Sequence, residues 1–340
     1  MSQPIPDGAQ TRGGRDASSL PPRAPGPRGG RAARNLTWRQ RLSHADARWS
    51  PYLYISPFFL VFGLVGLFPL AYTAYVSLHD WSLLGGKGEF VGLQNYREVW
   101  DNPYFLKQTV NTLSIFVLSS GPQIVMAVVL AALLDNRLRG ATWWRMSILL
   151  PYVVSPVAVA IIFGSVFGDR YGLLNQGLEA IGLDGIGWHT DRLASHVAIA
   201  TMVNWRWTGF NALIFLAAMQ TVPRDLYESA SLDGAGRVRQ FISITLPMIR
   251  PTMIFVVITS TIGGLQIFAE PRLFDETNAR NGGADRQFGT ITMLIYDFGW
   301  QLRDLGRASA TAWMLFLLIL VLAVVNLMLV RRIGSLGGGR

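Results

Sequence analysis

Pro223-Arg-Asp225-Leu-Tyr-Glu228-Ser229-Ala230-Ser-Leu-Asp233-Gly234-Ala-Gly236-Arg-Val238-Arg-Gln-Phe241-Ile242-Ser-Ile244-Thr245-Leu246-Pro247 interrupts two long apolar runs. Pro223 with Asp225 and Glu228 behind it starts a helix. Proline suits a first turn, and carboxylates favour the positive end of the helix dipole. Gly234 and Gly236 stop that helix, since glycine adopts the left-handed turn that closes one. A second short helix follows, with Val238, Phe241, Ile242 and Thr245 on one face at i, i+3, i+4 and i+7. Pro247 ends it and Pro251 starts the next run. The spacing therefore predicts a compact helix–turn–helix over 223–247, lying at the edge of a bilayer.

The bilayer follows from what surrounds this stretch. Half of the 340 residues are apolar and only 15% are charged, too apolar a balance for ordinary soluble domains. A hydrocarbon core about 30 Å thick takes roughly 20 apolar residues per helix. Six such spans are expected, near 56–78, 109–134, 147–167, 195–220, 251–269 and 311–330. The expected fold is thus an all-α membrane protein, with its membrane domain over 51–332 and a short tail at 333–340. Pro69, Pro122 and Pro156 fall inside the first three spans and should kink them.

Residues 1–50 are rich in Pro, Gly and Arg and read as a disordered basic tail. Nine arginines and no lysine precede Trp49. An anchor against anionic lipid headgroups explains them better than nucleic-acid binding. The short connections on the same side carry Arg137, Arg139 and Arg145, then Arg224, Arg237, Arg239 and Arg250, then Arg331, Arg332 and Arg340. By the positive-inside rule both termini are cytoplasmic, in a multi-pass protein of the cell membrane. The outer connections 79–108, 168–194 and 270–310 are long enough to form a mouth where a delivery protein docks.

Several chemistries are excluded. There is no cysteine, hence no disulfide, thiol nucleophile or thiolate metal site. His44, His79, His189 and His196 are scattered without metal-ligand spacing. A phosphate-binding P-loop needs Gly-x4-Gly-Lys-Ser/Thr. The two lysines are Lys87 and Lys107, and Gly85-Gly86-Lys87 continues with Gly88.

The stretch 228–247 resembles the Glu-Ala-Ala-x-x-x-Gly-x9-Ile-x-Leu-Pro loop of ATP-binding-cassette importer permeases. Glu228, Ala230, Gly234, Ile244, Leu246 and Pro247 match, and Ser229 replaces the first alanine, small for small. The resemblance implies the six-helix type I importer permease fold, with 223–247 as a cytoplasmic coupling loop. It further implies that Glu228, Ala230 and Gly234 meet a groove on a separate ATPase subunit. The chain itself is then not an enzyme and holds no cofactor; ATP and Mg belong to the ATPase. A second permease, two ATPase subunits and an extracytoplasmic solute-binding protein are the implied partners, with membrane lipid around them.

The cargo is read from fainter features. Phe90-Val-Gly-Leu-Gln-Asn95-Tyr96 followed by Asn111-Thr112 looks like the sugar-permease branch, the maltose and glycerol-phosphate type. Gly264-Leu-Gln266-Ile-Phe268-Ala-Glu270-Pro271 looks like the actinobacterial cello-oligosaccharide permeases, the transporters of cellobiose. Saccharides offer hydroxyls for hydrogen bonds and C–H faces for aromatic stacking. Asn204, Arg206, Asn211 and Gln266 are the expected hydrogen-bonding pathway, with Trp205 or Trp207 as a stacking platform. Trp pairs also mark membrane interfaces, and Arg206 also has the choice of pairing with a carboxylate. Gly263-Gly264 reads as a close helix contact ahead of a hinge. A glycerol-phosphate or polyol importer is the main rival. An ion-coupled secondary transporter would need intramembrane carboxylates, and the expected spans hold none at their centres.

Overall fold

The computed structural model describes residues 38–136, 139–275 and 282–336. Most of the expected basic tail, Arg137 and the last four residues lie outside that range. The chain divides into two compact units, Met1–Gly63 and Leu64–Arg340.

The first unit contains α1 (Trp38–Val61). It begins inside the stretch expected to be a disordered tail, which is a correction. The reason is local: between Gly30 and Pro51 the chain has no Gly or Pro, and Ala, Arg, Gln and Leu favour helix. Tyr52, Tyr54, Phe58 and Phe59 are all exposed on α1.

The second unit opens with α2 (Phe68–Ser77), where Pro69 sits in the first turn directly after a π-helical turn, Phe62–Leu67. The all-α expectation then meets a small exception. Strands β1 (His79–Ser82) and β2 (Gly86–Phe90) form an antiparallel hairpin, pairing His79 with Phe90 and Trp81 with Lys87. The chain continues through α3 (Gln94–Trp100) into α4 (Pro103–Leu134), which runs unbroken through Pro122. Asn102 caps α4 by accepting the Tyr104 N–H.

Next come α5 (Ala141–Val153) and α6 (Pro156–Val166), bent by 91° at their junction. The third expected span is therefore a broken pair rather than one rod. Pro156 cannot continue the helix of α5, and Ser155 caps α6 by accepting the Ala158 N–H. After α7 (Leu173–Ala180) comes α8 (Arg192–Met219). The segment expected to couple holds α9 (Arg224–Leu232), α10 (Arg237–Gln240), a π-helical turn Phe241–Thr245 and α11 (Leu246–Met248). The chain closes with α12 (Arg250–Leu265), α13 (Ala269–Leu273), α14 (Ile291–Tyr296) and α15 (Leu305–Leu336).

Helices stand at all six places expected, but the count of six spans is not reached by length and apolarity. Among the described residues four stretches qualify: Trp49–Ser77, Pro103–Leu134, Arg250–Leu273 and Leu305–Met328. The bent pair makes five. Helix α8 falls short because Ser195, His196, Asn204, Arg206 and Asn211 dilute it. Half of its 28 residues are buried, so protein rather than lipid shields this polar helix.

Helices α4 and α8 form the centre. Ile115 joins Ile199, Met202 and Val203 in one core cluster, together with Phe274 and Phe288 from the outer segments. Ala127, Ala131 and Leu134 join Ala212, Phe215, Leu216 and Met219 in a second, nearer the coupling segment. In lipid, apolar burial gives little drive, so close packing at small residues holds helices together. Gly209 brings α8 against the Ile148 carbonyl of α5, and a Cβ on Gly264 would come within 2.8 Å of Phe116 of α4. Gly264 is thus the close contact expected, whereas Gly263 has nothing within 4 Å.

Polar side chains clamp the outer segments to this centre. Asn95 donates to the Ser77 and His79 carbonyls, and Asn111 to those of Arg286 and Gly289. His196 bonds Ser114 and the Gln287 carbonyl.

Candidate functional site

Between the two core clusters, α4, α8 and α12 leave a pocket of about 270 Å³. Its polar edge is Ser120 and Gln123 from α4, Asn211 from α8 and Ser260 from α12; Trp207 and Phe210 of α8 form an aromatic wall. Asn211 Nδ2 lies 3.3 Å from Ser260 Oγ. Tyr152, beside the α5–α6 bend, stacks on Phe210 at 4.5 Å and meets Trp207 edge-on at 5.2 Å. Gln123 is 3% exposed, and its amide nitrogen is buried without a hydrogen-bond partner among the described residues.

The six pathway residues expected from sequence are distributed unevenly. Trp207 and Asn211 line the pocket. Trp205 turns away, 40% exposed and packed on Phe163, because adjacent helical positions face different directions. Gln266, at the end of α12, is exposed and does not line the pocket. Asn204 keeps a buried side-chain oxygen without a partner among the described residues, outside the pocket lining. Arg206 is not a free donor: its guanidinium meets Glu270 Oε1 at 2.6 Å, with both side chains largely buried. Glu270 lies just past the expected end of the fifth span, so the sequence had the carboxylate in view without the pairing. Gln123, Ser120 and Ser260 were missed. Their signal was polarity inside apolar runs, at Ser119-Ser120-Gly-Pro-Gln123 and Thr259-Ser260.

The second candidate region is the coupling segment. Helix α9 closes with paired hydrogen bonds, Ala235 N–H to the Ala230 carbonyl and Gly234 N–H to that of Ser231. This is a Schellman cap, and it requires the left-handed backbone that Gly234 takes at φ 75°. Pro223 serves as the residue before α9 rather than in its first turn. Gln240 donates to Ser231 Oγ and to the Ala235 carbonyl, and Tyr227 Oη bonds Thr245 Oγ1 at 2.8 Å. The two arms are therefore braced against each other.

The expected apolar face of the second arm needs correction. Thr245 is buried and Phe241 packs on the core, but Val238 and Ile242 are 74% and 57% exposed. The π-helical turn Phe241–Thr245 adds a residue to that turn and rotates the later residues to a new register. Pro247 does not end the arm; it sits in the first turn of α11. Of the seven coupling candidates, Glu228, Ser229 and Gly234 are exposed, while Ala230, Ile244, Leu246 and Pro247 are half-buried. Ile244 and Leu246 pack on the inner core cluster. One end of the segment is anchored and the other is presented, with Leu232 91% exposed.

Residues 115–335 match the family of binding-protein-dependent transport system inner membrane components. The chain is 35% identical to the lactose transport system permease protein LacF of Rhizobium radiobacter, over 81% of this chain and 91% of that one. It is 33% identical to the sulfoquinovosyl glycerol transport system permease protein SmoG of Agrobacterium fabrum, over 86% and 94%. It is 31% identical to the sn-glycerol-3-phosphate transport system permease protein UgpA of Pectobacterium atrosepticum, over 84% and 95%. In fold it matches a chain of a bacterial ABC transporter involved in the import of the acidic polysaccharide alginate, with a TM-score of 0.69 and 24% identity over 86% of this chain and 99% of that one.

Proposed function

The chain belongs to the binding-protein-dependent transport system inner membrane components, and from that premise we propose that it is the permease subunit of an ATP-driven sugar importer, coupled to a separate ATPase through 223–247. The observation that carries the reading is the braced helix–turn–helix, anchored by Ile244 and Leu246 and exposed at Glu228, Gly234 and Leu232. A rigid element fixed at one end and exposed at the other transmits the closure of a partner as a rigid-body tilt of the helices above it. In this reading both termini and the segment face the cytoplasm. Two ATPase subunits hold ATP and Mg, a second permease completes the pathway, and an extracytoplasmic solute-binding protein delivers the cargo.

Sugar as cargo is supported by the names of the relatives and by a pocket that combines hydroxyl and amide groups with an aromatic wall. The narrower reading, a cello-oligosaccharide such as cellobiose, rests on the Gly264–Pro271 pattern. A glycerol-phosphate importer is the rival that a named relative favours. An ion-coupled transporter is disfavoured because Glu270, the carboxylate beside Arg206, is already paired.

The test is Gly234→Pro in the assembled importer. Proline removes the N–H that closes α9 and cannot take a positive φ. Co-purification of the ATPase and ATP-dependent sugar uptake should both fall at least tenfold, with the permease still inserted. Intact association and uptake would sink the coupling role.

A further inference from the structure

We infer that the pocket between α4, α8 and α12 takes an uncharged saccharide ring, with Gln123 fixing one of its hydroxyls and the Trp207–Phe210 wall covering its C–H face; this rests on the sugar-permease reading above. The named relatives leave the charge of the cargo open. One is named for lactose, which is neutral, and another for glycerol 3-phosphate, which is an anion.

The charge of the site argues for a neutral ligand. No ionisable side chain is among the described residues that line it. The cation nearest in sequence, Arg206, lies outside the lining and is neutralised by Glu270 at 2.6 Å. A phosphate, sulfonate or carboxylate entering here would give up its hydration with no counter-charge in a medium of low dielectric.

The hydrogen-bonding state argues for hydroxyls. Gln123 is 3% exposed, and its amide nitrogen finds no partner among the described residues. A buried donor left open is satisfied by a ligand that accepts, and a carboxamide offers a donor and an acceptor side by side. A sugar hydroxyl supplies both roles. Across the pocket the Asn211–Ser260 contact of 3.3 Å is long, so both groups remain able to turn to a ligand. The aromatic rings give the flat apolar surface that the C–H face of a pyranose covers. A pocket of about 270 Å³ lies at the small end of ligand sites, which suits one ring of a longer chain at a time.

Binding is read on the full chain in lipid nanodiscs by saturation-transfer NMR, with cellobiose, lactose and sn-glycerol 3-phosphate as probes. The neutral disaccharides should receive transfer to their ring C–H protons and the phosphate should not. Gln123→Leu should weaken the disaccharide about tenfold, and Trp207→Ala should remove the C–H transfer. Gln123→Glu keeps the volume, so weakened binding with a native melting temperature assigns the effect to the amide. Binding of glycerol 3-phosphate as tight as that of the sugars would overturn the inference. So would unchanged disaccharide affinity in Gln123→Leu, or no saccharide transfer to a natively melting chain. ATP-dependent sugar uptake that persists in Gln123→Leu with its range unchanged would refute the pocket assignment while leaving the importer reading in place. Loss of ATPase association in the wild-type chain would refute the importer reading instead.

Discussion

Arg206 and Glu270 show what a residue in a span must do to stay charged. A lone arginine at the centre of a span costs about 2.5–3.5 kcal/mol on insertion scales, so it needs a partner. It finds one 64 residues away, beyond the end of α12, and no spacing rule links the two. The sequence announced the need through Arg206 and hid the answer, because the pairing depends on how α8 and α13 meet. Removing one member of a buried pair leaves the other unpaired, at a cost of about 3–5 kcal/mol. Arg206→Met alone and Glu270→Leu alone should each lower the melting temperature of the purified chain clearly. The double variant should recover most of that loss. If the double variant is as unstable as the sum of the singles, the two side chains do not act as a pair.

Asp297 carries a different consequence at the same scale. Its carboxylate lies 3.3 Å from the Arg286 guanidinium, yet burial outweighs the attraction of Arg286 and Arg272 and pushes its pKa above the ordinary 3.8. The folded state then holds the proton more tightly than the unfolded chain. Stability relative to Asp297→Asn must therefore fall as pH rises from 3.8 through the raised value, then level off. Melting temperatures of both proteins across acidic pH should show this sign. A difference that is flat across that window would remove the role assigned to burial.

Elements were legible where chemistry is local. The Gly234 turn follows from residue type, as does the place of each long helix. The rest depends on packing. The π-helical turn at Phe241–Thr245 rotated the second arm and exposed Val238 and Ile242, and no periodicity announces such a turn. The polar helix α8 reads as a poor span on its own, and only its burial between neighbours explains it. Glycines separate the same way. Gly209 and Gly121 both lie in helices, but only at Gly209 would a Cβ meet another helix, at the Ile148 carbonyl. Gly209→Ala should cost about 1–3 kcal/mol or more as α5 and α8 are forced apart. Gly121→Ala, with nothing within 4 Å, should be neutral or stabilise by about 0.5–1 kcal/mol. Melting curves of the two variants in one detergent decide it; equal loss at both sites would contradict the packing.

At the scale of the molecule, the pocket and the coupling segment share one body. Ile214 lines the pocket and packs on the inner core cluster, and so do Tyr227, Phe241, Ile244 and Leu246 of the segment pack on that cluster. In the proposed coupling, a tilt of the segment reaches the pocket through these packed side chains. The Tyr227–Thr245 hydrogen bond is one of the ties, with those of Gln240, that join α9 to the anchored arm. Tyr227→Phe deletes that bond and keeps the ring, at a net cost of about 0.5–1.5 kcal/mol, small against the stability of the fold. The surface proposed to dock, at Glu228, Gly234 and Leu232, is untouched, so the ATPase should still co-purify. Motion of α9 should no longer reach the pocket in full, so fewer sugars should be imported per ATP hydrolysed. Uptake and hydrolysis measured together in proteoliposomes give that ratio. A ratio equal to wild type would mean that the force passes through the Gln240 bonds or the backbone of the turn, whereas a fall in both rates in proportion would mean that the variant damages docking and not transmission.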